Sequence, residues 1–170
     1  TTIAKKLSHS LNIPWVPADY LASVTRAHIP KTDWPKKLPL RYIKHIQCKN
    51  DNDLFYNTYS AKQIMNLYVK QAVTIWRGIE NFIEYAISEE QDYIIEGHQI
   101  QPKFLEKLRA GKLWTHVKVV FVYKENVEKI IEGIKMGDSK RDWDLLHTKK
   151  TRDAAQNRTV DKHVWQKNKD

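Results

Sequence analysis

A chain of 170 residues with 41% apolar residues and six Trp has enough apolar surface for one domain with a real core, and too little length for two comfortable ones. Its single cysteine, Cys48, excludes an internal disulfide framework and a Cys-based zinc cluster, and no apolar run reaches the length of a membrane span or a signal-peptide core. The 29 Lys+Arg exceed 20 Asp+Glu, and the resulting formal charge of +9 favours anionic partners (nucleotides, phosphorylated metabolites, nucleic acid) without choosing among them. These features predict one soluble, cytoplasmic domain over residues 1–170, with no membrane partner.

In chain order, residues 2–10 suit a helix. The opening Thr1-Thr2-Ile3-Ala4-Lys5-Lys6-Leu7 reads equally as an ordinary helix start and as the second half of a phosphate-binding loop, in which Thr1 would supply the Mg²⁺-binding hydroxyl after a Gly-Lys pair. Pro14-Trp15-Val16-Pro17-Ala18 is a short extended run whose prolines place it at a sheet edge. A helix from about Asp19 to Ala27 follows. The stretch 28–57 holds Pro30, Pro35 and Pro39 among Lys and aromatic residues, and is expected to be an irregular excursion with at most one short helical turn.

From Tyr59 to about Ile87, apolar residues at Ile64, Leu67, Ala72, Ile75, Trp76, Ile79 and Ile83 keep the three-and-four spacing of an amphipathic helix. Tyr93-Ile94-Ile95-Glu96-Gly97 then reads as a strand closing on an acid and a glycine. Pro102 opens a helix through Leu108 that Gly111 stops. Val117 to Tyr123 is a β-branched and aromatic run that predicts a strand buried on both faces, and 125–136 predicts a helix ending at Gly137. The alternation points to an α/β domain whose mostly parallel sheet is flanked by helices. In such sheets ligands sit beyond the carboxyl ends of the strands, where Asp19, Glu96 and Lys124 fall.

This succession resembles the P-loop small-molecule kinases, the group containing zeta-toxin-like, gluconate-kinase-like and 2-phosphoglycerate-kinase-like proteins. The residues that carry the resemblance are Thr1 to Leu7 after the loop, Ile13 to Asp19 as second strand, Tyr93 to His98 as third, Val119 to Val122 as fourth, and Lys140-Arg141-Asp142-Trp143 in a basic lid region at about 137–158. The resemblance implies a P-loop NTPase-like fold and an ATP- and Mg²⁺-dependent transfer of the γ-phosphate to a hydroxyl of a small molecule. It departs at three points: the first strand with its Gly-rich loop is missing from the sequence, no final strand is evident, and the insert 28–57 has no counterpart. Either residues precede Thr1, or the chain is an inactive remnant, or the fold is a different one.

The resemblance also distributes roles. Thr1 and Thr2 would lie at the cofactor phosphates, Thr1 and Glu96 at the metal, and Lys140, Arg141 and Arg152 over the phosphates, with Arg158 a later cation of the same kind and Arg141 acting on the transferred group. Asp19 would take the proton of the acceptor hydroxyl, or would simply cap its helix. Arg26, Arg77 and His98 would contact an anionic or hydroxyl-bearing acceptor; the alternative for His98 is a solvated loop side chain, and for Arg77 an exposed residue of the long helix. The His spacing offers no transition-metal set, no Gly-x-Ser-x-Gly elbow occurs, and Cys48 has no base beside it in sequence. The alternative function is a non-catalytic nucleic-acid-binding or interaction domain derived from a P-loop fold, using the basic surface with Trp34, Tyr42 and Trp165.

Overall fold

The computed structural model describes residues 2–122 together with Asn126, Glu128 and Lys129. Two compact units emerge: Thr1–Leu38 with Val69–Val119, and a second whose described part is Pro39–Tyr68 with Val120–Val122, Asn126, Glu128 and Lys129.

In the first unit, α1 (Thr2–Leu11) ends where Asn12 adopts a left-handed conformation, φ 53°, that Asn tolerates better than most residues. The Ser8 hydroxyl donates to the Ile13 carbonyl at 2.6 Å and fixes the turn into β1 (Trp15–Pro17). The chain passes directly from Pro17 into α2 (Ala18–Ala27). After a 3₁₀ turn at Lys31–Asp33 comes the one-turn α3 (Trp34–Lys37), tied down by the Trp34 indole N–H donating to the Ile29 carbonyl at 3.2 Å.

The second unit begins with α4 (Pro39–Tyr42), which runs into a π-helical turn at Ile43–Gln47. Lys49 and Asn50 turn the chain through left-handed φ, and α5 (Asn52–Thr58) starts at Asp51, whose Oδ1 accepts the Leu54 N–H at 3.0 Å. Leu40, Cys48, Phe55 and Ile64 form its buried core. Lys44 is buried with its ammonium over the Phe55 and Tyr56 rings, at 5.0 and 5.4 Å, a placement that compensates part of its lost hydration.

The long helix α6 (Ala61–Ser88) opens on a capping box: the Ser60 N–H donates to Gln63 Oε1 at 2.8 Å and the Gln63 N–H to Ser60 Oγ at 3.4 Å. That pairing, invisible to hydrophobic spacing, sets its start two residues after the expected Tyr59. Then come β2 (Ile94–Glu96), α7 (Pro102–Arg109) and a 3₁₀ turn at Lys112–His116. The first unit's core joins Ala18 of α2, Ala72, Ile75, Trp76 and Ile79 of α6, and Phe104, Leu105 and Leu108 of α7. Trp76 and Phe104 stack with centroids 5.1 Å apart.

Three expectations are corrected. The chain is mostly helical and its sheet has two strands, β1 and β2, paired in parallel, so the mostly parallel sheet is not formed among the described residues. Val117 to Val122 is not a strand: Val117 and Val119 pack on the core, while Val120 is 81% exposed and Phe121 and Val122 are also exposed. A β-favouring composition does not make a strand without a neighbour to take its N–H and C=O groups. The stretch 28–57 is a succession of short helical elements in place of an irregular excursion, because its prolines sit at or near helix starts, where a missing N–H costs nothing. The helix expected over 125–136 and the lid at 137–158 lie essentially outside the described residues. Among those residues no helix is long and apolar enough to cross a membrane.

Burial raises the pKa of the Cys48 thiol above its ordinary 9.0, Asp51 adds to the shift, and Lys44 opposes it. The folded state therefore keeps the thiol proton to higher pH than the unfolded chain does. Once the pH passes the unfolded value, unfolding releases that proton and stability falls, until the folded thiol also ionises. Cys48→Ala should flatten this alkaline limb in urea midpoints taken from pH 7 to 10.5. An alkaline limb identical in both proteins would contradict the assignment.

Candidate site at the carboxyl edge of the parallel pair

β1 and β2 run in register, Trp15 opposite Ile94, Val16 opposite Ile95 and Pro17 opposite Glu96. Their carboxyl ends, and the segments that leave them, therefore emerge side by side. From β1 the chain enters α2, with Asp19 in the first turn, where a carboxylate suits the positive end of the helix. From β2 it turns through Gly97, His98 and Gln99, with the Ile100 N–H closing on the Gly97 carbonyl at 3.2 Å.

One side-chain bond joins the two exits. Gln99 Nε2 donates to Asp19 Oδ1 at 2.7 Å, across 80 residues of sequence. Gln99 is only 3% exposed, and its Oε1 is buried without a hydrogen-bond partner in the structure. Gly97 is what lets this pair form. A Cβ on residue 97 would stand 2.5 Å from Gln99 Oε1 and 2.6 Å from the Ala18 Cβ, so no larger residue fits without displacing one of them.

The capping alternative for Asp19 is set aside by the backbone: the N-cap is Pro17, and no side chain caps α2. Glu96 is the last residue of β2, half-buried, opposite Pro17. The structure thus brings Asp19 and Glu96 to one edge, as expected from their positions after predicted strands.

Arg26 sits two helical turns beyond Asp19, about 10 Å along α2, with its Nη2 donating to Ser23 Oγ at 2.8 Å. α6 comes close to α2 at the neighbouring residue: a Cβ on Gly78 would lie 2.7 Å from Thr25 Oγ1. Arg77, exposed on α6, therefore flanks the same helix crossing as Arg26. His98 is exposed at the β2 exit. Thr2 starts α1, which packs against both strands. Thr1, Lys124, Lys140, Arg141, Arg152 and Arg158 lie outside the described residues.

Gln99 was not legible as a site residue. Nothing in Gly97-His98-Gln99-Ile100 distinguishes it from a loop glutamine; only the parallel pairing puts it beside Asp19. Among the described residues no group of three or more His, Cys, Asp or Glu side chains converges as a metal-binding set. No family model, curated protein or solved structure matches the chain significantly.

Proposed function

We propose that the chain belongs to an ATP-dependent phosphotransferase, which moves the γ-phosphoryl group to a hydroxyl of a small molecule. The observation that supports it most is the Asp19–Gln99 bond at the carboxyl edge of two parallel strands. It holds a carboxylate where α/β proteins bind ligands, and a second carboxylate, Glu96, stands at the end of the neighbouring strand.

The chemistry asked of the protein is modest. Phosphoryl transfer depends chiefly on positioning and charge neutralisation. Asp19 accepts the proton of the acceptor hydroxyl; the freed oxygen forms the new O–P bond as the bond from the γ-phosphorus to the β–γ bridging oxygen breaks, and ADP leaves. With Oδ1 engaged by Gln99, Oδ2 is the oxygen offered to the acceptor. Arg26 and Arg77, on either side of the contact between α2 and α6, would hold an anionic group of that acceptor. Glu96 fits Mg²⁺ as one hard oxygen donor; that ion commonly takes only one or two carboxylates and completes its shell with phosphate oxygens and water. Bound there, Mg²⁺ would neutralise charge on the phosphates.

Calorimetry and γ-phosphate transfer on the full gene product carrying these residues test the reading. ATP binding should require Mg²⁺, and Asp19→Asn should lower turnover about 100-fold or more with ATP affinity unchanged, the scale of a lost general base. Absence of Mg²⁺-dependent ATP binding would remove the kinase reading.

A further inference from the structure

α2 carries two opposite charges on one face. Asp19, Ser23 and Arg26 follow one another at four and three residues, so they line up along the helix, beside Ala18, Leu21 and Ala22, which seat it on the core. Asp19 is exposed, and Ser23 and Arg26 are half-buried. Each charge is fixed by a neutral partner: the Gln99 amide donates to Asp19 Oδ1 at 2.7 Å, and Arg26 Nη2 donates to Ser23 Oγ at 2.8 Å. Neither charge is paired with the other, or with any other charged side chain among the described residues.

Helix stability accounts for the signs and not for the arrangement. Asp19 in the first turn and Arg26 in the last both suit the helix dipole. The Arg26 side chain leans toward the helix N-terminus, as helical side chains do, which brings its guanidinium over the turn of Ser23. It stops there, one turn short of Asp19. Opposite charges that are held in place without neutralising each other fit a ligand that offers a hydroxyl to the carboxylate and an anion to the guanidinium. Ser23 serves the anion end as well: its Oγ accepts from Arg26, and its hydroxyl proton remains to donate to the same anion. Arg77, exposed on α6, is held by no bond among the described residues, so it adds charge without setting a distance.

The helix sets that distance. Residues one turn apart stand about 5 to 6 Å apart at their Cβ atoms, and a ligand lying alongside repeats the spacing between its hydroxyl oxygen and its anionic group. An extended ω-hydroxy acid of about four or five carbons has that span. We infer that the acceptor is a small hydroxylated anion whose reacting hydroxyl and anionic group stand one helical turn apart, and that Arg26, fixed by Ser23, selects it. The inference rests on the phosphotransferase reading and narrows its substrate.

Transfer of the γ-phosphate by the full gene product to ω-hydroxyalkanoates of increasing length, with the neutral diols of the same lengths beside them, tests it. The kcat/KM should peak at about four or five carbons and exceed that of the matching diol by about 10- to 100-fold, the scale of a hydrogen bond to a charged group. Activity with 4-hydroxybutanoate, with 3-hydroxypropyl phosphate or with both supports the inference and names the anion. Arg26→Gln should bring the acid-to-diol ratio near one, through KM for the acid and not through kcat. Arg26→Glu should reverse the preference toward the amino alcohol of the same length. Ser23→Ala releases the guanidinium and should flatten the length optimum. The ratio compares two acceptors on one preparation, so partial unfolding of a variant does not imitate the effect. Diols used as well as acids, a ratio unchanged in Arg26→Gln, or a length profile unchanged in Ser23→Ala would each overturn the inference and leave the phosphotransferase reading in place. Absence of Mg²⁺-dependent ATP binding in calorimetry on the same preparation would remove that reading, and the substrate inference with it.

Discussion

Gly97→Ala is expected to lower stability by about 2 to 3 kcal/mol, the upper part of the range for overpacking a filled site. The added methyl meets two obstacles at once, the Ala18 Cβ at 2.6 Å and Gln99 Oε1 at 2.5 Å. Ala18 is fully buried at the start of α2, so the backbone of that helix must move or Gln99 must leave its place. If Gln99 moves, the bond to Asp19 is broken and a buried amide loses its partner, which adds about 1 to 3 kcal/mol. Gly111→Ala is the natural comparison. Its nearest neighbour would be the Leu108 carbonyl at 3.5 Å, an ordinary contact, so this change should be within about 1 kcal/mol of neutral. Urea unfolding at constant m distinguishes the two. Equal midpoints for the two variants would show that residue 97 is not confined as described.

The larger loss is expected from Phe104→Ala, at about 3 to 5 kcal/mol. Phe104 is 5% exposed and stacks on Trp76, while Leu105 and Leu108 beside it bury the same face of α7. Truncation leaves a cavity bounded by the long helix α6, which cannot collapse into it cheaply. Against the 5 to 15 kcal/mol typical of a whole domain, such a loss is a large part of the total. Phe104→Leu retains most of the volume and should recover more than half of the deficit. A Phe104→Ala variant with a urea midpoint near that of the unmodified protein would contradict the assignment of Phe104 to the core.

The elements that local patterning announces are the ones that formed where expected. α6 shows its buried face in Ala72, Ile75, Trp76 and Ile79, and Pro102 and Gly111 bracket α7 from sequence alone. β1 and β2 were also legible, as three-residue cores of the runs read as strands. The failures have a common physical origin. Whether Val117 to Val122 becomes a strand depends on a hydrogen-bonding neighbour, which composition does not encode. In 28–57, prolines read as breaks in structure act as helix starters, because a break and a start use the same residue. At the site, Asp19 and Glu96 were visible through their position after predicted strands. Gln99 acquires meaning only through a partner 80 residues away.

That separation of 80 residues between Asp19 and Gln99 also bears on the order in which the molecule assembles. Joining the two exits closes a loop whose entropy costs about 4 kcal/mol by the logarithmic scaling with length. Helices such as α6 and α7 draw on neighbours three and four residues away and form without that cost. The carboxyl edge of the parallel pair is consequently among the last parts to be assembled during folding. Its backbone amide at Ile100, bonded to the Gly97 carbonyl, should exchange with solvent sooner than those in the middle of α6.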